Sequence, residues 1–196
     1  MTDNASKIVL ASSSPFRREL LGRIGLGFGV CSPDIDESAR PGETPRQLVE
    51  RLSMEKARAG AKDFPRALIV GSDQVADHDG EIVGKPRDHA DAVRQLRAAS
   101  GKVITLYTGV ALYNSATGAM QVGVEPFEVE FRELDDAVIE AYLRRERPYN
   151  CCGSLRAEQL GIALLKRLSG DDPNALIGLP MIRLVEMLQR EGVRLF

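Results

Sequence analysis

Ala67-Leu68-Ile69-Val70-Gly71-Ser72-Asp73-Gln74 is the stretch on which the fold turns. Its opening residues are uniformly apolar, without the alternation of a strand that faces water on one side, so they read as a buried central strand. Small residues then break the run, and a carboxylate, Asp73, stands where the strand should end. In α/β sheets, ligands gather in the crevice beyond the carboxyl ends of the strands. Gly84-Lys85-Pro86 follows what reads as a hairpin over Val75 to Val83, turning at Asp79-Gly80, which tethers the Lys85 ammonium near Asp73. A carboxylate and a cation on one rim suggest metal-assisted work on phosphate.

Outward from this stretch the chain alternates strand and helix. Ile8 to Ala11 reads as a strand and Gly27 to Ser32 as a weak one. Ser14 to Ile24 and Thr44 to Ala61 read as helices, opened by Ser-Pro and Thr-Pro pairs, and Asp88 to Ala99 as a third helix stopping at Gly101. Lys102 to Tyr113 and Met120 to Phe131 are long β-rich runs joined by a turn-rich connector, Asn114 to Gly118. Asp135 to Glu146 reads as a helix ended by the steric effect of Pro148 on the residue before it. An irregular segment, Pro148 to Gly161, leads through Ile162 to Leu168 and a polar loop, Ser169 to Asn174, into a closing helix from Leu179 to Arg190. No repeat, linker or low-complexity tract divides the chain. Residues 1–196 therefore read as one α/β domain with a long mixed, partly antiparallel sheet and two lobes around a central cleft.

Composition narrows the function classes. The 196 residues are 43% hydrophobic and 28% charged, with a net charge of −2. That acidic balance argues against a chain that coats nucleic acid, although small anionic ligands need only a local cluster of cations. Met1 to Ser6 is polar and Ile8 to Ala11 is too short for a signal or membrane segment, so a cytoplasmic setting is expected. Cys31, Cys151 and Cys152 show neither disulfide nor zinc spacing and read foremost as buried small hydrophobes. His78, beside a turn, and His89, in a polar helix start, read as solvent-exposed, which leaves the chemistry to carboxylates, lysines and arginines.

Ser12-Ser13-Ser14-Pro15 carries a strand into a helix, a setting that offers backbone N–H groups and the positive helix end to an anion. Arg17 shares the apolar stripe of that helix with Leu21 and Ile24, and Lys56 continues the stripe of Val49 and Leu52. Each cation either snorkels to water over the core or reaches a cleft, and two of them beside an anion turn favour the cleft. Asp34, Asp36 and Glu37 are either a solvated acidic loop or carboxylates for magnesium. Gly178-Leu179-Pro180 reads as structural punctuation.

In their order and spacing these pieces resemble the Maf (septum-formation-inhibitor-like) nucleoside triphosphate pyrophosphatases over the full chain. The matching motifs run from Ser12-Ser13-Ser14-Pro15-Phe16-Arg17-Arg18 through Asp36-Glu37, Glu55-Lys56-Ala57, Gly71-Ser72-Asp73-Gln74 and Gly84-Lys85-Pro86. Ser100-Gly101, Thr108-Gly109-Val110, Gly153-Ser154 and Gly178-Leu179-Pro180 complete the set. The resemblance implies a two-lobed fold similar to inosine triphosphate pyrophosphatases and hydrolysis of a nucleoside triphosphate to monophosphate and diphosphate with Mg2+ or Mn2+. It implies that Asp73 orients or deprotonates water, with Glu37 beside it for metal or water. It also implies that Arg17, Lys56, Lys85, Ser12 and Ser14 bind phosphate. Phe16, Gln74 and Glu158 stand where many pyrimidine-preferring members have Arg, Thr and Gln, and point to the YceF-like subgroup associated with 7-methyl-GTP. A cationic 7-methylguanine suits stacking on Phe16, a guanine-edge contact and counter-charge from Glu158, and an amide contact from Gln74. The chain departs from that subgroup in having Phe16 where a larger aromatic is usual and Cys152 where Ala is usual; Phe is the weaker cation–π partner, which relaxes the expected selectivity. A dTTP/UTP pyrophosphatase and a non-catalytic, septum-linked nucleotide-binding module are the alternatives. No stable nucleic-acid or membrane partner is expected, and a homodimer is the default assembly.

Overall fold

The computed structural model describes residues 7–196; Met1 to Ser6, read above as polar, lie outside them. The chain forms β1 (Lys7–Ala11), α1 (Pro15–Gly22), β2 (Phe28–Cys31), α2 (Pro45–Gly60), β3 (Ala67–His78), β4 (Glu81–Val83) and α3 (His89–Ala99). There follow β5 (Val103–Asn114), β6 (Met120–Phe131), α4 (Asp136–Glu146), β7 (Leu165–Ser169), α5 (Pro173–Ile177) and α6 (Met181–Arg190), with short 3-10 turns at Cys152–Ser154 and Leu160–Leu164. The helix starts follow their capping chemistry. Ser14 Oγ accepts the Arg17 N–H, Thr44 and Gln47 form a reciprocal capping box, and Asp88 and Asp135 cap α3 and α4.

The strands form a mixed seven-stranded sheet in the order β2-β1-β3-β5-β6-β7, with β4 paired to β3. Leu68, Ile69 and Val70 are fully buried at its centre, each contributing about 1.5–3 kcal/mol of burial. β3 does not end at Asp73, as the sequence suggested, but runs on to His78. What ends there is its neighbour. β1 pairs parallel with β3 only as far as Ala11↔Gly71, and β4 joins the same edge from Ala76↔Val83. Among the described residues Ser72 to Val75 thus have no strand on that side, while β5 pairs with β3 on the other from Leu68 to Asp77. The crevice opens against this gap in the middle of a strand.

The small residues that looked like a strand break have a packing role instead. A Cβ on Gly71 would meet the Ser53 backbone oxygen of α2 at 2.1 Å, and one on Gly109 of β5 would meet the Val49 oxygen at 2.4 Å. Gly109 is the register partner of Asp73. Two glycines on one face therefore let α2 settle directly on the sheet, bringing the Lys56 side chain down to Asp73.

Four apolar clusters make up the core. One joins α3, α4 and β7 to the distal parts of the sheet around Leu96, Phe131 and Leu143. A second packs α1 and α6 against Leu10, Val70 and Leu112, and two smaller ones lie under α2. The long strands β3 and β5 contribute residues to each of these clusters.

Several other expectations change. His78 is the last residue of β3 and is 8% exposed, not solvated; among the described residues its Nδ1 has no hydrogen-bond partner, and burial lowers its pKa. The turn begins one residue later, with Asp79 and Gly80 both at positive φ. His89 is half-exposed and rests against Glu140 and Tyr149. The polar loop after Ser169 gives way to α5, because Asp172 accepts the Asn174 N–H and opens a helical turn at Pro173. Helix α4 ends through a left-handed Arg147 rather than an extended residue before Pro148. Among the described residues no helix is long and apolar enough to cross a membrane.

Candidate active site

Against the gap in β3 lies a cavity of about 400 Å3. Every side chain expected from the sequence to bind or act lines it: Ser12, Ser14, Phe16, Arg17, Glu37, Lys56, Asp73, Gln74, Lys85 and Glu158. Asp36, left open beside Glu37, does not. Its Oδ1 accepts the Ser38 N–H at 2.9 Å in a local turn, which lowers its pKa.

At the acidic end, Lys56 Nζ donates to Asp73 Oδ1 at 2.6 Å and lies 2.8 Å from Glu37 Oε1. Lys56 and Asp73 are almost wholly enclosed, with side chains 8% and 10% exposed, whereas Glu37 reaches in from the rim. Lys56 therefore takes the cleft rather than snorkelling to water. The loop that carries Glu37 is fixed by a residue the sequence reading missed. Arg51 of α2 binds the Ser38 carbonyl at 3.0 Å and grips both oxygens of Glu43 at 2.7 and 2.8 Å. The Arg51 guanidinium pulls the Glu43 carboxyl down to a pKa of about 2.

At the turn before α1, Ser12 Oγ accepts the Ser14 N–H at 3.2 Å and Arg17 Nη1 at 3.4 Å, while Ser14 Oγ takes the Arg17 N–H. Both hydroxyls thus act as acceptors within the turn, leaving their own O–H groups to donate to an anion. Arg17 Nε donates to the Gly178 carbonyl at 2.8 Å, which aims the rest of the guanidinium. Burial lowers the Arg17 pKa, with Asp73 and Glu37 pushing the other way. Ser72 Oγ reaches the same carbonyl at 3.0 Å. Gly178 was read as punctuation; its carbonyl is the post that orients Arg17. Lys85 is exposed and also lines the cavity, and among the described residues it has no ion-pair partner.

Strand alternation sends Gln74 to the face opposite Asp73. Its amide nitrogen lies within hydrogen-bond distance of Thr108 Oγ1 and the Ala175 and Leu176 carbonyls, at 3.0, 2.9 and 3.1 Å. Thr108 Oγ1 also donates to Ala175 at 2.8 Å. The nitrogen of Gln74 thus holds α5 in place as part of the cavity wall, and its side-chain oxygen is the atom left for a ligand. Phe16 and Glu158 stand together on one side and share a neighbour. The Arg156 guanidinium lies 5.0 Å from the Phe16 ring centre, and its Nε is 3.4 Å from Glu158 Oε1. Arg156 sits in the irregular segment after Pro148, where no periodicity marks it. Cys151 and Cys152 are buried in the wall, and burial pushes both thiols up to about 12, the setting of inert packing residues.

As to metal, no group of three or more His, Cys, Asp or Glu among the described residues would hold an ion unaided. Asp73 and Glu37 each give one oxygen to Lys56 Nζ; through their second oxygens the pair fits the way Mg2+ is commonly held, by one or two carboxylates with substrate phosphates and water completing the shell.

The cavity in this mixed seven-stranded α/β fold thus brings a carboxylate–lysine pair together with an arginine-backed serine turn. The family model of the Maf-like proteins matches residues 7–191, and this chain belongs to that family. It is 58% identical over 186 residues to the 7-methyl-GTP pyrophosphatase of Pseudomonas syringae pv. tomato, covering 95% of this chain and 97% of that protein. It is 55% identical over 185 residues to the 7-methyl-GTP pyrophosphatase of Nitrosococcus oceani, covering 94% and 93%. Among solved structures, the Staphylococcus aureus Ham1 protein matches with a TM-score of 0.55 at 13% identity, over 96% of this chain and all of that one, a likeness of fold.

Proposed function

We propose that this chain hydrolyses 7-methyl-GTP to 7-methyl-GMP and diphosphate, removing a modified nucleotide before it is incorporated. The observation that carries the reading is the meeting of Asp73, Lys56 and Glu37 with Arg17 and the Ser12–Ser14 turn in one cavity. Near-full-length relatives named for that reaction support it.

In this reading the triphosphate lies along the cavity with its charge against Arg17, Lys56 and Lys85 and the two serine hydroxyls. Phosphoryl transfer is largely a matter of positioning and of neutralising developing charge, which such cations supply. Asp73, oriented by Lys56 through one oxygen, takes the proton of the attacking water. A Mg2+ or Mn2+ ion held by Asp73 and Glu37 would polarise phosphoryl oxygen and lower the pKa of bound water. The water's oxygen joins phosphorus, the anhydride between the first and second phosphates breaks, and diphosphate leaves. At the other end Phe16 stacks on the cationic base and Glu158 faces its edge.

Product analysis tests the reaction type. With Mg2+ or Mn2+, 7-methyl-GTP should yield 7-methyl-GMP and diphosphate in equal amounts. Release of single phosphate would contradict the proposal, and no hydrolysis of any nucleotide would favour a binding module.

A further inference from the structure

Arg156 touches both groups to which base recognition has just been assigned, yet is not itself part of the cavity wall. Its guanidinium rests on the Phe16 ring at 5.0 Å, within range of cation–π attraction. Nη1 donates to Glu146 Oε1 at 3.2 Å, and the other Glu146 oxygen accepts the Leu160 N–H at 3.0 Å. The Glu146 side chain is 9% exposed, so the guanidinium is moored to a nearly buried carboxylate. The main chain is pinned as well: the Arg156 N–H donates to the Tyr142 hydroxyl at 2.9 Å, and its carbonyl accepts from Gly161 at 3.1 Å. A positive charge is therefore held in place against the ring and beside the Glu158 carboxylate before any ligand arrives.

We propose that Arg156 is a specificity-determining residue that sets how strongly the site prefers a positively charged base to a neutral one. This inference rests on the assignment of Phe16 and Glu158 to the base. A cation on one side of an aromatic ring weakens the ring's pull on a second cation, and a guanidinium 3.4 Å from Glu158 offsets part of that counter-charge. A neutral guanine, held by stacking and hydrogen bonds, is affected far less. Arg156 thus narrows the gap between a 7-methylated purine and its unmethylated counterpart while leaving the phosphate end untouched.

The test compares kcat/KM for 7-methyl-GTP and GTP in the wild type, R156M and R156K. Removing the charge in R156M should raise the ratio by about five- to tenfold through a lower KM for 7-methyl-GTP, as expected for a cation–π-sized effect. R156K, which keeps the charge but not the planar guanidinium over the ring, should fall between the wild type and R156M. In a Phe16→Leu background, R156M should lose the part of its effect that runs through the ring and keep the part that runs through Glu158. An unchanged or lowered ratio in R156M would overturn the proposal. If R156M melts early because Glu146 is left unpaired, R156M with Glu146→Gln removes that charge and reads the same ratio. A wild-type ratio near one would sink the base assignment, while the shift between wild type and R156M would still judge Arg156.

Discussion

At the residue scale the site depends on one enclosed ion pair. Asp73→Asn keeps the shape and much of the hydrogen bonding to Lys56, which Glu37 still pairs at 2.8 Å, but removes the base, so kcat should fall by about 10^2–10^4 with little change in melting temperature. Turnover and thermal denaturation of the same preparation check this, and near-normal turnover would remove Asp73 from the mechanism. Lys56→Met acts differently. It strands Asp73 without its partner in the interior, and loss of about 3–5 kcal/mol in chemical denaturation is expected beside loss of activity. Lys56 was legible as a candidate in the sequence because a charge on an apolar helix stripe is conspicuous, and Asp73 because a carboxylate follows a buried apolar run. Arg51 and Arg156 were not legible: one lies on a helix rich in charges and the other in an aperiodic segment, and only the fold shows what each grips.

At the scale of elements, α2 places the chemistry. Gly109→Ala would drive a Cβ into the Val49 carbonyl and the Ser53 hydroxyl and lift α2 from β5, costing about 1–3 kcal/mol and lowering kcat together. Denaturation and turnover measured side by side should show both. The loop bearing Glu37 carries a pH signature. Glu43 titrates near 2 when folded against an ordinary 4.5, so its contribution to stability is complete above pH 4.5 and is lost as the pH falls toward 2. Melting temperature should therefore drop less steeply over that range in Glu43→Gln, which starts from a lower plateau; parallel acid slopes would contradict the assignment. The sequence placed the helices well because Ser-Pro, Thr-Pro and Asp caps state their own boundaries. It misplaced the end of β3 because Gly71 serves close packing of α2 and Ser72 bonds the Gly178 carbonyl, and the gap belongs to the neighbouring strands.

At the scale of the molecule, one sheet carries both ends of the site. Asp73 and Gln74 are adjacent in β3 but face opposite sides, so the α2 face supplies the acid and lysine while the other face docks α5. The cavity reaches both because the sheet edge is interrupted there. The most direct test of the proposed function is kcat/KM across 7-methyl-GTP, GTP, dTTP and UTP with Mg2+ or Mn2+. Diphosphate release with 7-methyl-GTP preferred over dTTP and UTP is the expected result. A preference for dTTP or UTP, or no diphosphate from any of the four, would contradict it.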